Sequence, residues 1–309
     1  MKIILDVDPG IDDAIAIALA HKWPGIEILG ITTVGGNLPL EKTTDNGGKI
    51  LKLLGANYKV YPGMAQPLIR ELKTAENIHG PTGLGYAQLP EGKEYIADKH
   101  GVDFIIEQVN KYPKEITLIG VGPLTNIATA IKKDPSLPQK VRGICVMGGA
   151  VFTQGNVTPA AEFNIYVDPE SAEIVFNCGA EIILVGLDVT LKVLLTREHL
   201  EIIQKKGGSL GESIGEMTKF YLERYLDGNK LPGCALHDPL AVAVALDKSL
   251  VSMEKMYVGV ETKGELTRGA TIGDKLSRFN KKPNVYVCTQ VDSNRFLELF
   301  LDRILDHTN

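Results

Sequence analysis

Short runs rich in Val and Ile recur along this 309-residue chain, and the early ones are almost unbroken in apolar character. They read "KIILDV", "IEILGITTV", "EITLIGVG", "VRGICVMGG" and "EIILVGLDV", followed later by "MYVGVET" and "NVYVCTQV". A strand with one wet face alternates apolar and polar residues; a strand covered on both faces need not. Longer segments of helical spacing lie between the runs: "IDDAIAIALAHK", "PLEKTTDNGGKILKLLG", "VDFIIEQVNKYP", "LTNIATAIKKD", "DPESAEIVFNCG", "LGESIGEMTKFYLERYLD" and "DPLAVAVALDKSL". This alternation predicts an α/β fold, a doubly wound, mostly parallel open sheet with helices on both faces. "VGVETKGELTRGATI" reads as a hairpin, a small antiparallel addition near the end. No repeat, low-complexity tract or linker divides the chain, so residues 1–309 are read as a single domain.

Ligands in such folds bind beyond the carboxyl ends of the parallel strands. The first strand runs into "DVDPGIDDA", which sets Asp6, Asp8, Asp12 and Asp13 at the junction of two apolar elements. One Asp at a helix start is ordinarily a cap. A group of four is different. Like charges this close disfavour mutual ionisation, and the flanking apolar residues leave little water to screen them. A bound divalent cation resolves the conflict, and carboxylate and carbonyl oxygens suit Ca²⁺ or Mg²⁺ rather than zinc.

Other polar groups fall at the same kind of junction. In "LHDPLA", Asp238 followed by Pro239 is a good N-cap and first-turn pair, but His237 stands beside it. A helix N-terminus disfavours a protonated imidazole. After "VMGG", the segment "NVTPAAEFN" carries Asn156, Glu162 and Asn164, a carboxylate and two amides able to bind hydroxyls. Asn37 follows two glycines, where a turn residue is equally natural. His79 lies in a long Gly- and Pro-bearing segment and reads either as a surface loop or as a lid residue. Met217, Tyr221 and Tyr225 share a helix face by spacing, ordinarily a packing stripe. Arg224 lies beside them.

The net charge of −5 offers no bulk attraction to nucleic acid or anionic membranes. No apolar run approaches the roughly 18 residues of a membrane span, and Asp6 and Asp8 interrupt any N-terminal signal core. Cys145, Cys178, Cys234 and Cys288 are widely spaced, as reduced thiols of a cytoplasmic protein would be.

Taken together, "DVDPGIDDA", "TTVGGN", "NIHGPTGL", "GVGPLTNIA", "VMGGA", "NVTPAAEFNIYVDPESA", "GLDVT" and "HDPLA" resemble the inosine–uridine nucleoside hydrolase family. The motifs run from residue 6 to residue 240, and little of the resemblance is carried past about residue 245. The resemblance implies Ca²⁺-dependent hydrolysis of the N-glycosidic bond of ribonucleosides to ribose and free base, through an oxocarbenium-like transition state. It implies Asp8, Asp13, Asp238 and the Val121 carbonyl as metal ligands. It implies Asp12, Asn37, Asn164 and Asp238 at the ribose 2′- and 3′-hydroxyls, Glu162 and Asn156 at the 5′-hydroxyl, and Met147 under the sugar. Asp8 would be the general base and His237 a leaving-base contact and general acid, with His79, Tyr221, Arg224 and Tyr225 competing for the base. A homotetramer or dimer is expected by the same resemblance. Trp23 is the chain's one tryptophan and follows the first helix, which argues against purine stacking between tryptophans. Two alternatives stand beside this reading. One is a haloacid-dehalogenase-like, Mg²⁺-dependent phosphatase using Asp6 and Asp8. The other is a non-catalytic nucleoside- or sugar-binding protein.

Overall fold

The computed structural model describes residues 1–226 and 231–305. Its main sheet has nine strands: β1 (Lys2–Val7), β2 (Glu27–Thr33), β3 (Val60–Pro62), β4 (Ile116–Gly120), β5 (Gly143–Met147), β6 (Ile182–Val185), β9 (Val251–Val260), β10 (Thr271–Asp274) and β11 (Val285–Val291). Two short strands, β7 (Leu194–Leu195) and β8 (Cys234–Ala235), form a separate antiparallel pair. The order across the sheet is β10-β9-β11-β6-β5-β4-β1-β2-β3. Pairing is parallel from β3 through β11, and the β11–β9 and β9–β10 pairs are antiparallel. The expected open, doubly wound sheet with an antiparallel addition is therefore present.

The unbroken apolar runs have a direct explanation. Ile3, Leu5 and Val7 of β1 belong to the core on one face of the sheet, and Ile4 belongs to the core on the other. The same division holds in β5, with Cys145 and Met147 on one side and Ile144 and Val146 on the other. The helices Ile11–His21 and His237–Leu246 pack together on the first face. Nearly every residue of both is buried, so both are apolar all round rather than amphipathic.

Strand order reverses between β1 and β4, since the chain goes outward to β2 and β3 and then returns to β4. At such a switch point the adjoining connections leave in opposite directions and open a crevice. Asp8 follows β1 and Val121 follows β4, so both sit at its mouth.

Some expectations need correction. "EIILVGLDV" is a strand only to Val185; after Gly186, Leu187–Thr190 turn into a short helix. The helices Arg197–Lys206 and Ser293–Ile304, together with β3, β7 and β8, were not anticipated. The helix expected to end at Asp227 runs over Gly208–Arg224, and Asp227 lies outside the described residues. Among the described residues no helix is long and apolar enough to cross a membrane.

A buried polar knot holds the crevice in shape. Asn126 Nδ2 donates to Asp6 Oδ1 at 2.7 Å and to the Thr33 carbonyl at 2.9 Å, and its Oδ1 accepts from Met64 N at 2.7 Å. One fully buried side chain thereby ties β1, β2 and the segment after β3. Asn126→Ala leaves buried groups unpaired and should lower stability by about 3 kcal/mol. Urea denaturation measures this; a change within about 0.5 kcal/mol, the range of ordinary surface substitutions, contradicts the role.

Candidate active site

The connection after β1 is built by its own carboxylates. Asp13, wholly buried in the first turn of the helix Ile11–His21, accepts from Asp8 N and Gly10 N, each at 3.0 Å. Its side chain thus closes the Pro-Gly turn and caps the helix. Asn37 braces the same turn. Its Nδ2 lies 3.2 Å from both the Asp8 carbonyl and Asp13 Oδ2, and its N–H donates to Asp8 Oδ2 at 2.6 Å. The Asp8 carboxylate is gripped between two glycine backbones. A Cβ at Gly36 would collide with its Oδ2, and one at Gly122 would lie 2.5 Å from Oδ1.

Asp12 joins this turn to a distant one. Its Oδ2 accepts the main-chain N–H groups of His237 and Asp238, each at 3.0 Å. Two helix N-termini therefore meet, bringing Asp8, Asp12, Asp13 and Asp238 close enough to repel one another. Burial first, and mutual repulsion after it, raises the carboxyls of Asp8 and Asp238 well above the usual range. Burial likewise raises Asp12. Among the described residues Asp8 Oδ1 and Asp12 Oδ1 are buried with no hydrogen-bond partner. Among the described residues no three His, Cys, Asp or Glu side chains already stand as a ready metal cluster.

Above the carboxylates lies a cavity of about 300 Å³, lined in part by Asp12, Asn37, Val121, Met147, Asn164 and Asp238. Asp8 and Asp13 are not among the lining residues; both are hydrogen-bonded to Asn37, which is. Asn164 Nδ2 donates to the Val121 carbonyl at 2.6 Å and approaches the Met147 carbonyl at 3.3 Å. Glu162 is the N-cap of the short helix Phe163–Val167. Its oxygens accept from the N–H groups of Asn164, Ile165 and Gly149 at 2.9–3.1 Å. Asn156, exposed at the cavity mouth, accepts from Phe163 N at 3.0 Å.

The far wall is aromatic. His79, Tyr221, Tyr225 and His237 all line the cavity. His79 ends a helical turn, Glu76–His79, and is buried, so the surface-loop alternative for it fails. It stacks on Tyr221 with ring centroids 5.6 Å apart, and its Nδ1 accepts from Ile11 N at 3.1 Å. That bond leaves the proton of neutral His79 on Nε2. Tyr225 Oη lies 2.7 Å from His237 Nε2 and 3.3 Å from Tyr221 Oη. Burial pushes both His79 and His237 down to about 4, so both are neutral at neutral pH. Tyr221 and Tyr225 thus belong to the cavity wall, not merely to a packing stripe.

Arg224 is not among the lining residues; it is exposed and lies over the Phe220 ring, 4.9 Å from its centroid. Asp6 is also away from the cavity. It is bonded to Thr32 at 2.6 Å and to Asn126, and burial pushes it up to about 7. A phosphatase nucleophile at Asp6 therefore has no substrate space before it. Sequence reasoning missed Asp188, whose oxygens accept from Val151 N and Phe152 N at 2.9 and 2.7 Å and anchor the loop leading to Asn156. Its signal was present in "GLDVT", an acidic residue just past a strand end.

Comparison with known proteins agrees with this arrangement. The family model described as inosine-uridine preferring nucleoside hydrolase matches residues 3–298, well past the last motif seen in the sequence. The pyrimidine-specific ribonucleoside hydrolase RihB of Shigella sonnei is 39% identical over 295 residues, covering 96% of this chain and 94% of that protein. A purine-preferring ribonucleoside hydrolase from Gardnerella vaginalis superposes with a TM-score of 0.93 at 39% identity, over 98% of both chains. A plant nucleoside hydrolase gives 0.93 at 36% identity, again over 98% of both. The chain belongs to the inosine-uridine preferring nucleoside hydrolase family and is an N-glycosyl hydrolase.

Proposed function

We propose that this enzyme hydrolyses ribonucleosides to ribose and free base, with a calcium ion held by Asp8, Asp13, Asp238 and the Val121 carbonyl. The observation that carries the reading is one cavity with two unlike ends. It has carboxylates and amides suited to a ribose at one end, and neutral imidazoles and phenols suited to a base at the other.

The residues fit a hard cation. The donors are oxygens, the buried Asp8 Oδ1 lacks any partner among the described residues, and the turn around Asp8 leaves no room for side chains at Gly36 or Gly122. Val121 would share its carbonyl with Asn164, which its second lone pair permits. Bound there, the ion would supply positive charge that favours the ionised carboxylates and would lower the pKa of a neighbouring water.

The chain's own groups then act as follows. Asp12 and Asn164, with Asp238, hold the 2′- and 3′-hydroxyls, while Asn37 holds the Asp8 turn and adds to the diol end. Glu162 and Asn156 meet the 5′-hydroxyl, and Met147 packs under the ring. Asp8 accepts a proton from water as the water oxygen bonds to C1′. The C1′–N bond breaks, and its electron pair passes to the base. Tyr225 O–H and His79 Nε2–H donate hydrogen bonds to the departing base, which takes its proton from water on release. His237 acts through Tyr225, because both of its ring nitrogens are already engaged by protein hydroxyls. Relatives equally identical to this chain are named pyrimidine-specific and purine-preferring, so base choice is set locally in the aromatic wall. We also infer a homotetramer or dimer acting in the cytoplasm, supported by four unpaired cysteines and by the exposed Phe152, Ile272, Leu276 and Phe279.

Three outcomes test this reading. Chromatography of a ribonucleoside panel should show base release, with a 2′-deoxynucleoside roughly 10⁴-fold poorer in kcat/KM, because its missing hydroxyl leaves buried polar groups unpaired. Comparable values for uridine and deoxyuridine, or binding without ribose release, contradict it. Asp8→Ala should lower kcat by about 10³-fold; near-normal turnover removes Asp8 as the base.

The third outcome concerns pH. Raised carboxyls bind protons more tightly in the folded than in the unfolded state, so metal-free stability falls as pH rises through their values. His79 and His237, lowered to about 4, act in the opposite sense, but only below their ordinary 6.5. Chelator-treated protein should therefore lose Tm as pH rises above the ordinary carboxylate range, and excess calcium should abolish most of that loss. A Tm unchanged with pH in chelator counts against the buried cluster.

A further inference from the structure

Thr190 closes the "GLDVT" segment, one short helical turn beyond β6. It is wholly buried, and its Oγ1 lies 2.7 Å from His237 Nδ1. The structure gives that hydroxyl no other hydrogen-bond partner among the described residues. On the opposite side of the ring, Nε2 lies 2.7 Å from Tyr225 Oη, which continues to Tyr221 Oη at 3.3 Å.

We propose that Thr190 is a positioning residue that fixes the tautomer of His237 and thereby aims the Tyr225 hydroxyl proton into the cavity. The argument is a count of protons along one chain of hydrogen bonds. If Thr190 donates to Nδ1, the imidazole carries its proton on Nε2 and donates it to the Tyr225 oxygen. The Tyr225 proton is then free for Tyr221 or for a ligand. If instead Nδ1–H donates to Thr190, Tyr225 must point its proton back at Nε2, and the threonine proton is left without an acceptor. An imidazolium donating from both nitrogens leaves the same proton stranded. The two ends of the chain differ in surroundings. An unpaired hydroxyl beside Tyr221 and Tyr225 opens on the cavity, where water or a substrate accepts it. An unpaired hydroxyl at Thr190 is sealed in protein and bears the full desolvation penalty. The first arrangement therefore prevails, and Tyr225 faces the departing base as a donor rather than an acceptor.

No proton changes owner in this step. Charge developing on the base nitrogen is met by the Tyr225 O–H, whose oxygen is in turn polarised by the Nε2–H behind it. The inference rests on the ribonucleoside reading above for its catalytic consequence, but not for the tautomer itself.

The test therefore has two arms. Proton-coupled ¹⁵N spectra of histidine-labelled, substrate-free protein, with His237→Gln used to assign one ring among six histidines, report which nitrogen bears the proton. The expected result is a protonated Nε2 and a bare Nδ1; a protonated Nδ1 overturns the proposal. This arm reads the tautomer from the unaltered chain and needs no Thr190 variant, so it holds even where Thr190→Val fails to fold or no nucleoside is turned over. In the second arm, Thr190→Val should lower kcat on a natural nucleoside roughly tenfold or more while sparing p-nitrophenyl riboside, whose phenolate leaves unaided. Thr190→Ser, which keeps the hydroxyl, should restore most of the loss. Equal losses on both substrates, or no rescue by serine, reduce Thr190 to packing and overturn the proposal. Absence of turnover in the wild type, with Nε2 protonated, would count against the ribonucleoside reading alone.

Discussion

Asp12 carries the constraint on which the rest of the site depends. One of its oxygens accepts two main-chain N–H groups from residues more than two hundred positions away, and so pins the start of one buried helix to the start of another. Helix N-termini present unsatisfied donors and positive partial charge, and a carboxylate satisfies both. The consequence is that Asp8, Asp13 and Asp238 share a buried space with Asp12. That concentration of negative charge is unfavourable for folding by itself. It becomes useful only when a cation or a set of hydroxyls meets it.

Opposite electrostatic conditions are built into the two ends of one small cavity. At the carboxylate end, burial favours the protonated form and makes the site avid for positive charge. At the aromatic end, burial keeps two imidazoles neutral, so they serve as directional hydrogen-bond donors rather than as charges. A ribose and a nucleobase differ in the same way: one is a cluster of hydroxyls that becomes cationic as the bond breaks, the other a flat ring that becomes anionic. The division of labour within the cavity follows from that difference.

Much of this was legible in the residues. The apolar runs of β1, β4, β5 and β6 implied strands buried on both faces, and their cores lie on both faces. The acidic junction and the "HDP" segment were read as helix starts and are helix starts, and the "EFN" segment opens a helix too. Neighbour relations were not legible. Periodicity reports which face of an element is buried, not which strand lies beside it, so the place of β1 between β2 and β4 could not be read off. Hydrogen bonds from short polar side chains were missed for a similar reason. Asn37 serves the Asp8 turn, Glu162 caps a helix, and Asn126 knots three segments, all through contacts between residues distant in sequence or through the fine geometry of a turn. The surface-loop and lid readings of His79 stood side by side because a single helical turn carries too few residues to show a period. Arg224 was misjudged because one helix position separates a side chain facing the cavity from one lying over Phe220.

Calorimetric titration of calcium into chelator-stripped protein bears most directly on the acidic meeting point. Convergence of Asp8, Asp13 and Asp238 on a hard cation requires one equivalent bound per chain, with binding lost when Asp238 is replaced by Asn. No heat of binding, or full binding by Asp238→Asn, would mean that these carboxylates were brought together for something other than a metal.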